Sequence, residues 1–168
     1  MNRTKNSSRV LKTAIINSPI GKIKIEGDEL GIVSIAFLDS EDMDISEHVP
    51  SEFEEVISQL QQYFNGERKN FSIKMALKGT DFQKRVWDEL IKIPSGSTLS
   101  YQQIANQLGD PKVIRAAASA NGKNPISIII PCHRVIGSDG SLTGYAGGLQ
   151  RKKWLLEHEN PSSQQSLF

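Results

Sequence analysis

SYQQIANQLGDPKVIRAAASANG, residues 100–122, is the stretch of this chain that decides its fold. Its opening segment, Ser100–Gln103, has the form of a capping box and predicts a short helix that ends near Leu108. The segment Gly109–Pro111 breaks that helix, and an alanine-rich helix is predicted over Lys112–Asn121. Two helices joined by a short break that contains glycine predict a helix-turn-helix.

The segments around this motif indicate that the second half of the chain is mostly helical. A second capping box, Thr80–Gln83, predicts a helix that runs to about Ile93. Beyond the helix-turn-helix, the apolar run Ile126–Ile130 predicts a buried strand or extended segment. Five glycines within Gly137–Gly148 predict a loop, and a terminal helix is predicted over Leu149–Glu157.

The first half has a different pattern, in which short strands precede one helix. Three partly alternating runs, Val10–Asn17, Lys22–Glu26 and Ile32–Leu38, are separated by turn signals and predict an antiparallel meander. Apolar residues at helical spacing predict a helix over Glu52–Phe64, and Asn70–Ala76 is predicted to return as a strand. The fold class is therefore α+β, with a small N-terminal antiparallel sheet and helix followed by a mostly helical C-terminal domain that contains the helix-turn-helix.

Length and composition are those of a soluble globular protein, with 168 residues, 38% hydrophobic and 23% charged. We expect an N-terminal α/β domain with a structural role at 1–78, a helix-turn-helix domain at 79–160 and a flexible tail at 161–168. Lys and Arg number ten against twelve Asp and Glu in residues 1–78, and ten against seven in 79–168, so any polyanion contact belongs to the second half. One cysteine cannot form an internal disulfide, and no apolar run could span a bilayer. We expect a cytoplasmic monomer that does not associate with membranes.

Cys132 is the candidate nucleophile. A thiol attacks as thiolate, which requires a base or a positive charge nearby, and His133 is the next residue. Neighbouring side chains usually point apart, so a water could bridge the pair, and Glu159 could orient the imidazole. The alternative is a buried structural cysteine, but the apolar segment before it and the glycine-rich loop after it favour a site. The three histidines and one cysteine lack zinc-ligand spacing, so we predict no metal and no cofactor.

The alanine-rich helix allows two interpretations. It could be a tightly packed core helix, which its alanine content favours. It could also present a face of small residues to DNA, since it has few side chains suited to reading bases in the major groove. A close approach to the minor groove, with Arg115 as a wedge, would then give little sequence preference. We predict DNA contacts from Arg115, Ala116 and Ser119, and from Tyr101 and Arg134 outside the helix.

Four segments within residues 80–159 together resemble the O6-alkylguanine-DNA alkyltransferases, also called methylated-DNA–protein-cysteine methyltransferases. They occur in the family's order, and the Pro-Cys-His-Arg run is highly specific for it. The segments are Ser100–Gln103, the helix that carries Arg115, Asn124–Val135 with its Ile130-Pro131-Cys132-His133-Arg134 run, and Gly144–Glu159.

The resemblance implies a role for each matching residue around the thiol. Cys132 would accept the alkyl group, and His133 would act as its base through a water, with Glu159 orienting His133. Asn124 would link the helix-turn-helix to the turn that carries the cysteine. Tyr101 would help to rotate the nucleotide out of the duplex and donate a proton toward guanine N3.

The resemblance also implies a pocket for the extruded base. Arg115 would fill the gap left in the duplex, while Val135, Tyr145 and Ala146 would line the guanine pocket with the backbone of Cys132. Many members have serine where this chain has Ala146, so only a backbone N–H could reach the guanine oxygen there. The implied activity is stoichiometric, irreversible alkyl transfer from O6-alkylguanine in double-stranded DNA, and possibly from O4-alkylthymine.

Three other functions fit parts of the chain, and a partner site is suggested by its tail. A non-enzymatic relative that only binds alkylated DNA would lack the acceptor cysteine, which is present here as Cys132. A regulator that senses alkylation would need a partner domain, and a cysteine hydrolase would leave the helix-turn-helix without a purpose. The tail segment Gln164–Phe168 resembles the short peptide that bacterial replication proteins insert into the sliding clamp, and the alternative is an inert tail.

Overall fold

A three-stranded antiparallel sheet forms the first half of the molecule, in the order β1 (Lys12–Ile16), β2 (Lys22–Asp28) and β3 (Gly31–Leu38). The computed structural model describes residues 10–41 and 43–161, so the predicted tail after Pro161, including Gln164–Phe168, lies outside the described residues. The predicted meander is confirmed. The turn between β2 and β3 requires glycine at position 31, where φ is +134° and an added Cβ would lie 2.8 Å from the Lys74 carbonyl oxygen.

The N-terminal helix α1 (Glu54–Phe64) follows a single 3-10 turn at Ser51–Phe53, close to the predicted start. Its buried side chains, Val56, Leu60 and Tyr63, join the hydrophobic core that also contains Ile23 and Ile25 of the sheet. This arrangement shows why the helical spacing in the sequence was informative, since the apolar positions all lie on the buried face.

The predicted strand at Asn70–Ala76 is wrong. Among the described residues, one isolated bridge between Ile32 and Met75 links this segment to the sheet. In this bridge the Ile32 N–H donates to the Lys74 carbonyl, and the Ile32 carbonyl accepts from the Ala76 N–H. The Gln59 side chain accepts from the Ser72 N–H at 2.9 Å and donates to its carbonyl oxygen at 3.2 Å. Because a side chain satisfies this backbone, the segment does not continue a β-ladder.

The helix-turn-helix consists of α3 (Tyr101–Gln107) and α4 (Ile114–Gly122), and both predicted capping boxes are present. The helix α2 (Asp81–Ile91) packs against α4, and the Trp87 indole N–H donates to the Ala120 carbonyl at 2.9 Å. The second helix of the motif begins later than predicted, because Asp110 caps a 3-10 turn at Pro111–Val113 that precedes it.

The apolar run Ile126–Ile130 is buried as predicted, but it forms a sharply turned segment. Ile126 makes one bridge to Ile35, and Ile128 has a φ of +74°, a conformation that β-branched residues rarely adopt. The chain then enters a 3-10 turn at Cys132–Arg134 and the short strand β5 (Val135–Ile136).

The last elements enclose this turn. Strand β5 pairs in parallel with β4 (Leu99–Ser100), and the glycine-rich loop leads to α5 (Leu149–Glu159), which extends two residues beyond the predicted end. One hydrophobic cluster continues from the sheet through α2 and α3 to Leu155 of α5. Among the helices of residues 10–41 and 43–161, none has both the length and the hydrophobicity that crossing a membrane requires.

Candidate active site around Cys132

Cys132 lies at the start of a 3-10 turn and is 4% exposed. Its N–H donates to the Ile130 carbonyl at 2.8 Å, across a tight turn centred on Pro131. The Asn124 amide donates to that same carbonyl at 2.7 Å and accepts from the Ile126 N–H at 2.9 Å. Asn124 follows the end of α4, so it joins the helix-turn-helix to the turn that positions the thiol.

Opposing influences act on the Cys132 thiol. Burial raises its pKa above the ordinary value, because a thiolate is poorly solvated in the interior. The Asn124 side chain and the Lys152 ammonium act in the opposite direction, since both favour the charged sulfur. The resting thiol is therefore protonated at neutral pH, and thiolate formation requires a base.

His133 is fully buried and its Nε2 lies 2.7 Å from Glu159 Oε2. The carboxylate can only accept, so Nε2 is the protonated nitrogen in the neutral ring. Nδ1 is buried and has no hydrogen-bond partner among residues 10–41 and 43–161. Burial lowers the pKa of His133 and Glu159 partly opposes this, so the imidazole is neutral with a free lone pair.

Arg134 is the second partner of Glu159 and is 6% exposed. Its Nε donates to Oε1 at 2.8 Å, one terminal nitrogen donates to Oε2 at 2.9 Å, and the other donates to the Ile93 carbonyl at 2.7 Å. The forked guanidinium matches a carboxylate in this two-point geometry. DNA contact by Arg134 stays a prediction, and the burial of this side chain and its three hydrogen bonds inside the protein argue against it.

Glu159 remains ionised despite its burial. Burial alone would raise the pKa of this carboxyl, but hydrogen bonds from His133 and Arg134 lower it well below its ordinary value. The sequence places Glu159 at the end of α5, and the helix brings it to a turn that is 25 residues away along the chain. The three side chains predicted to act together, Cys132, His133 and Glu159, do lie in one buried region.

Lys152 is a site residue that sequence reasoning missed. It is fully buried, and its Nζ donates to the carbonyls of Val135 at 2.7 Å, Thr143 at 2.8 Å and Gly144 at 3.3 Å. Burial lowers its pKa to about 8, while Cys132 acts in the opposite direction. The spacing in the sequence could have indicated Lys152, because it lies seven residues before Glu159 and therefore on the same face of a helix.

Tyr101 and Tyr145 lie on the two sides of this region. The Tyr101 hydroxyl donates to the Thr143 carbonyl at 3.1 Å, and the Lys152 ammonium lies 6.0 Å from the ring centroid. The Tyr145 ring meets the His133 ring edge to face, with 6.5 Å between centroids. Burial is the largest cause that raises the pKa of both tyrosines, so both hydroxyls stay protonated and can donate.

The predicted pocket residues differ in their exposure. Val135 is buried beside the thiol, and Tyr145 is half-buried, whereas Ala146 is exposed. Ala146 lines a groove of 620 Å³ that also contains Arg151 and Trp154. The assignment of these three residues to a guanine pocket stays a prediction.

The helix α4 presents a face of small residues. Its buried side is formed by Ala117 and Ala120, while Arg115, Ala116 and Ser119 are exposed. The helix is thus packed on one side and open on the other, and both sequence interpretations describe part of it. DNA contact by the exposed residues stays a prediction. Among the described residues, no group of three or more His, Cys, Asp and Glu side chains is arranged to hold a metal ion.

Comparison with family models covers nearly the whole described chain. The model described as "6-O-methylguanine DNA methyltransferase, ribonuclease-like domain" matches residues 11–77. The model described as "6-O-methylguanine DNA methyltransferase, DNA binding domain" matches residues 81–161.

Individual relatives and solved structures agree with these matches. The methylated-DNA–protein-cysteine methyltransferase of Methanosarcina barkeri is 47% identical over 152 residues, covering 86% of this chain and 94% of the relative. That of Mycobacterium tuberculosis is 46% identical over 147 residues, covering 86% and 89%. The crystal structure of M. tuberculosis O6-methylguanine methyltransferase superposes with a TM-score of 0.81 at 43% identity, covering 90% of this chain and 94% of that one. The M. tuberculosis OGT structure in complex with DNA has a TM-score of 0.81 at 44% identity, covering 93% and 98%.

Proposed function

The chain belongs to the 6-O-methylguanine DNA methyltransferase family, and from this premise we propose which of its residues carry out the repair reaction. The protein binds DNA and repairs it by transferring the alkyl group of O6-alkylguanine to a cysteine. Cys132 is the acceptor, because the chain has one cysteine and that cysteine lies beside a buried base. The observation that carries this assignment is the arrangement of Cys132, His133 and Glu159 in one buried cluster.

Thiolate formation is the first step. The proton leaves Cys132 Sγ and reaches the free lone pair of His133 Nδ1 through a bridging water. The resulting imidazolium keeps its Nε2–H on Glu159, which is ionised and accepts at 2.7 Å. Asn124 holds the turn during this step through the Ile130 carbonyl. The Lys152 ammonium favours the negative sulfur.

Alkyl transfer follows as a displacement at the alkyl carbon. A sulfur lone pair forms the new S–C bond as the C–O6 bond breaks, and the bonding electrons move onto the guanine. Tyr101 donates its proton toward N3, so that the base leaves neutral. The His133 imidazolium then returns a proton through water to the Tyr101 oxygen, so the net proton transfer is from thiol to guanine. A thioether offers no carbonyl to water, and the chain has no second thiol, so each molecule acts once.

The base must leave the duplex before it can meet a thiol that is 4% exposed. Extrusion of a nucleotide costs a few kcal/mol, and the site must offset this cost. We assign the offset to Arg115, which fills the space in the duplex, and to the pocket of Val135, Tyr145 and the Ala146 backbone. The exposed small-residue face of α4 suits the minor groove, with contacts from Ala116 and Ser119.

Intact-mass analysis tests the assignment. The protein is incubated with a duplex that contains one O6-methylguanine, alongside an undamaged duplex and a Cys132→Ser variant as controls. One methyl group per protein, located on Cys132, is expected only for the wild type with the damaged duplex. More than one turnover per molecule, or a methyl group elsewhere, would contradict the proposal. A duplex with O4-methylthymine tests the second substrate in the same way.

The solution state and the compartment are separate proposals. We propose a monomer, since each chain contains all residues of the site, and a cytoplasmic location, which suits a buried free thiol. Sedimentation velocity in the absence of DNA should give the mass of one chain. A stable dimer at micromolar concentration would contradict the monomer.

Binding of the Gln164–Phe168 segment to a sliding clamp is proposed on its sequence alone. The test compares clamp binding by the full chain with binding by a chain that ends at Asn160. Tight binding by the full chain only is expected. Equal binding by both chains, or none by either, removes the proposal.

A further inference from the structure

Tyr63 of α1 reaches the proposed catalytic cluster from the N-terminal domain. Its side chain is 1% exposed, and its hydroxyl donates to Glu159 Oε2 at 2.7 Å across 96 residues of sequence. Burial raises the pKa of Tyr63 far above its ordinary value, so the hydroxyl remains a donor at any physiological pH. The mechanism above does not use this contact.

The oxygen that Tyr63 binds is also the one that orients the base. Glu159 Oε2 accepts from Tyr63, from His133 Nε2 at 2.7 Å and from Arg134 at 2.9 Å. A carboxylate oxygen has two lone pairs, so three donors compete for its electron density. The more strongly Tyr63 and Arg134 bind this oxygen, the weaker is its stabilisation of a positively charged His133.

The position of the carboxylate does not depend on Tyr63. Arg134 holds both oxygens, at 2.8 Å and 2.9 Å, and fixes the plane of the group. The Tyr63 backbone carbonyl separately binds His158 Nε2 at 2.6 Å, and this contact joins α1 to α5 without the hydroxyl. Removing only the hydroxyl should therefore strengthen the hydrogen bond between Glu159 and His133 and leave the geometry of the carboxylate in place.

We propose that Tyr63, through the hydrogen bond from its hydroxyl to Glu159, restrains proton transfer from Cys132 to His133, which gives the N-terminal domain a part in the reaction. The proposal rests on the proposed function for its relevance to repair, but the restraint itself is a property of the resting protein. The proton moves from Sγ to Nδ1, and the Tyr63 hydroxyl keeps its own proton throughout. The titratable and charged groups around Cys132 and His133 are Glu159, Arg134 and Lys152, the hydroxyls of Tyr101 and Tyr145, and Tyr63 through Glu159.

The test is the Tyr63→Phe variant of the full chain, treated with iodoacetamide from pH 5 to 9. Because Cys132 is the only cysteine, the alkylation rate reports its thiolate directly. Without the hydrogen bond from Tyr63, Glu159 should stabilise the protonated His133 more strongly. The pH at which the alkylation rate rises to half its neutral value should therefore increase by about half to one unit. The rate at neutral pH should rise roughly three- to tenfold by the same principle, and the two profiles should coincide at low pH. The NMR titration of the His133 ring should move to higher pH by the same amount.

Phe64→Leu is the matched control. Phe64 packs on Tyr63 and Trp154 at the same junction of α1 and α5, but its side chain has no donor for Glu159. Its profile should match the wild type even if the variant is less stable. A slower or unchanged Tyr63→Phe profile, or an equal shift in Phe64→Leu, would overturn the proposal. A wild-type protein that takes no methyl group from damaged DNA would defeat the proposed function alone, because the iodoacetamide profiles would still decide the role of Tyr63.

Discussion

Replacing Arg134 by methionine should destabilise the protein strongly while leaving its affinity for DNA nearly unchanged. Methionine keeps most of the side-chain length but removes two hydrogen bonds to Glu159 and one to the Ile93 carbonyl. Among the described residues, the buried carboxylate is then left with His133 and Tyr63 as donors. Removing one partner of a buried ion pair costs about 3–5 kcal/mol, out of a total stability of roughly 5–15 kcal/mol.

Urea unfolding at pH 7 measures this loss. With a slope of about 2 kcal/mol per molar urea, the midpoint should fall by roughly 1.5–2.5 M and the slope should be unchanged. Arg115→Met is the matched control, since Arg115 is exposed on α4 and its loss should change stability by less than about 0.5 kcal/mol. Fluorescence anisotropy with an undamaged duplex should show the reverse order, with weaker binding for Arg115→Met only.

The effect of Arg134 should also depend on pH in a defined direction. The folded pKa of Glu159 lies below its unfolded value, so the stabilisation is fully present above about pH 5 and is lost as the pH falls through the folded pKa. The difference between wild type and Arg134→Met should therefore shrink in acid. A variant within about 1 kcal/mol of wild type at pH 7, or one that binds DNA as weakly as Arg115→Met, would refute the internal role of Arg134.

Three further substitutions test the supports of the site and fold. Asn124→Ala removes two hydrogen bonds, so it should lower the free energy of unfolding in urea by about 2 kcal/mol. It should also slow single-turnover methyl transfer about tenfold. An unchanged rate would show that the turn at Cys132 keeps its shape without Asn124. Because Lys152→Met leaves three carbonyls without their donor, amide hydrogen exchange in the glycine-rich loop should become roughly tenfold faster. Unchanged exchange would contradict the role of Lys152 in stabilising this loop. Gly31→Ala should lower the free energy of unfolding by about 3 kcal/mol, because the added Cβ would meet the Lys74 carbonyl. Gly66→Ala, where φ is also positive but the space is open, should lower it by about 1 kcal/mol. Equal losses would show that the close approach at Gly31 has no effect.

Local signals in the sequence were sufficient for most of the helices. The capping boxes at Thr80 and Ser100 each satisfy backbone donors through a side chain three residues away, so they can be recognised without knowing the rest of the fold. The strand predicted at Asn70–Ala76 failed because Gln59, from α1, takes the backbone of Ser72. No local pattern reveals a competitor that lies 13 residues away.

The site was predictable to the extent that the family's motifs carry it. Cys132, His133, Glu159 and Asn124 follow from the motif order, and the structure brings them together. The ion pair of Arg134 with Glu159 was not predicted, because the two residues are 25 positions apart in the sequence. Tyr63 could not be found, since the hydroxyl contact crosses 96 residues and joins the two halves of the chain.

The burial of Cys132 has a consequence for the protein between encounters with damage. A thiol that is 4% exposed and protonated at rest is a poor target for peroxides and other small oxidants, which react with accessible thiolates. Such a side reaction cannot be reversed within the chain, because it has no second thiol. The closed site therefore slows the loss of unused acceptor thiols to oxidation, which leaves more of them for damaged bases.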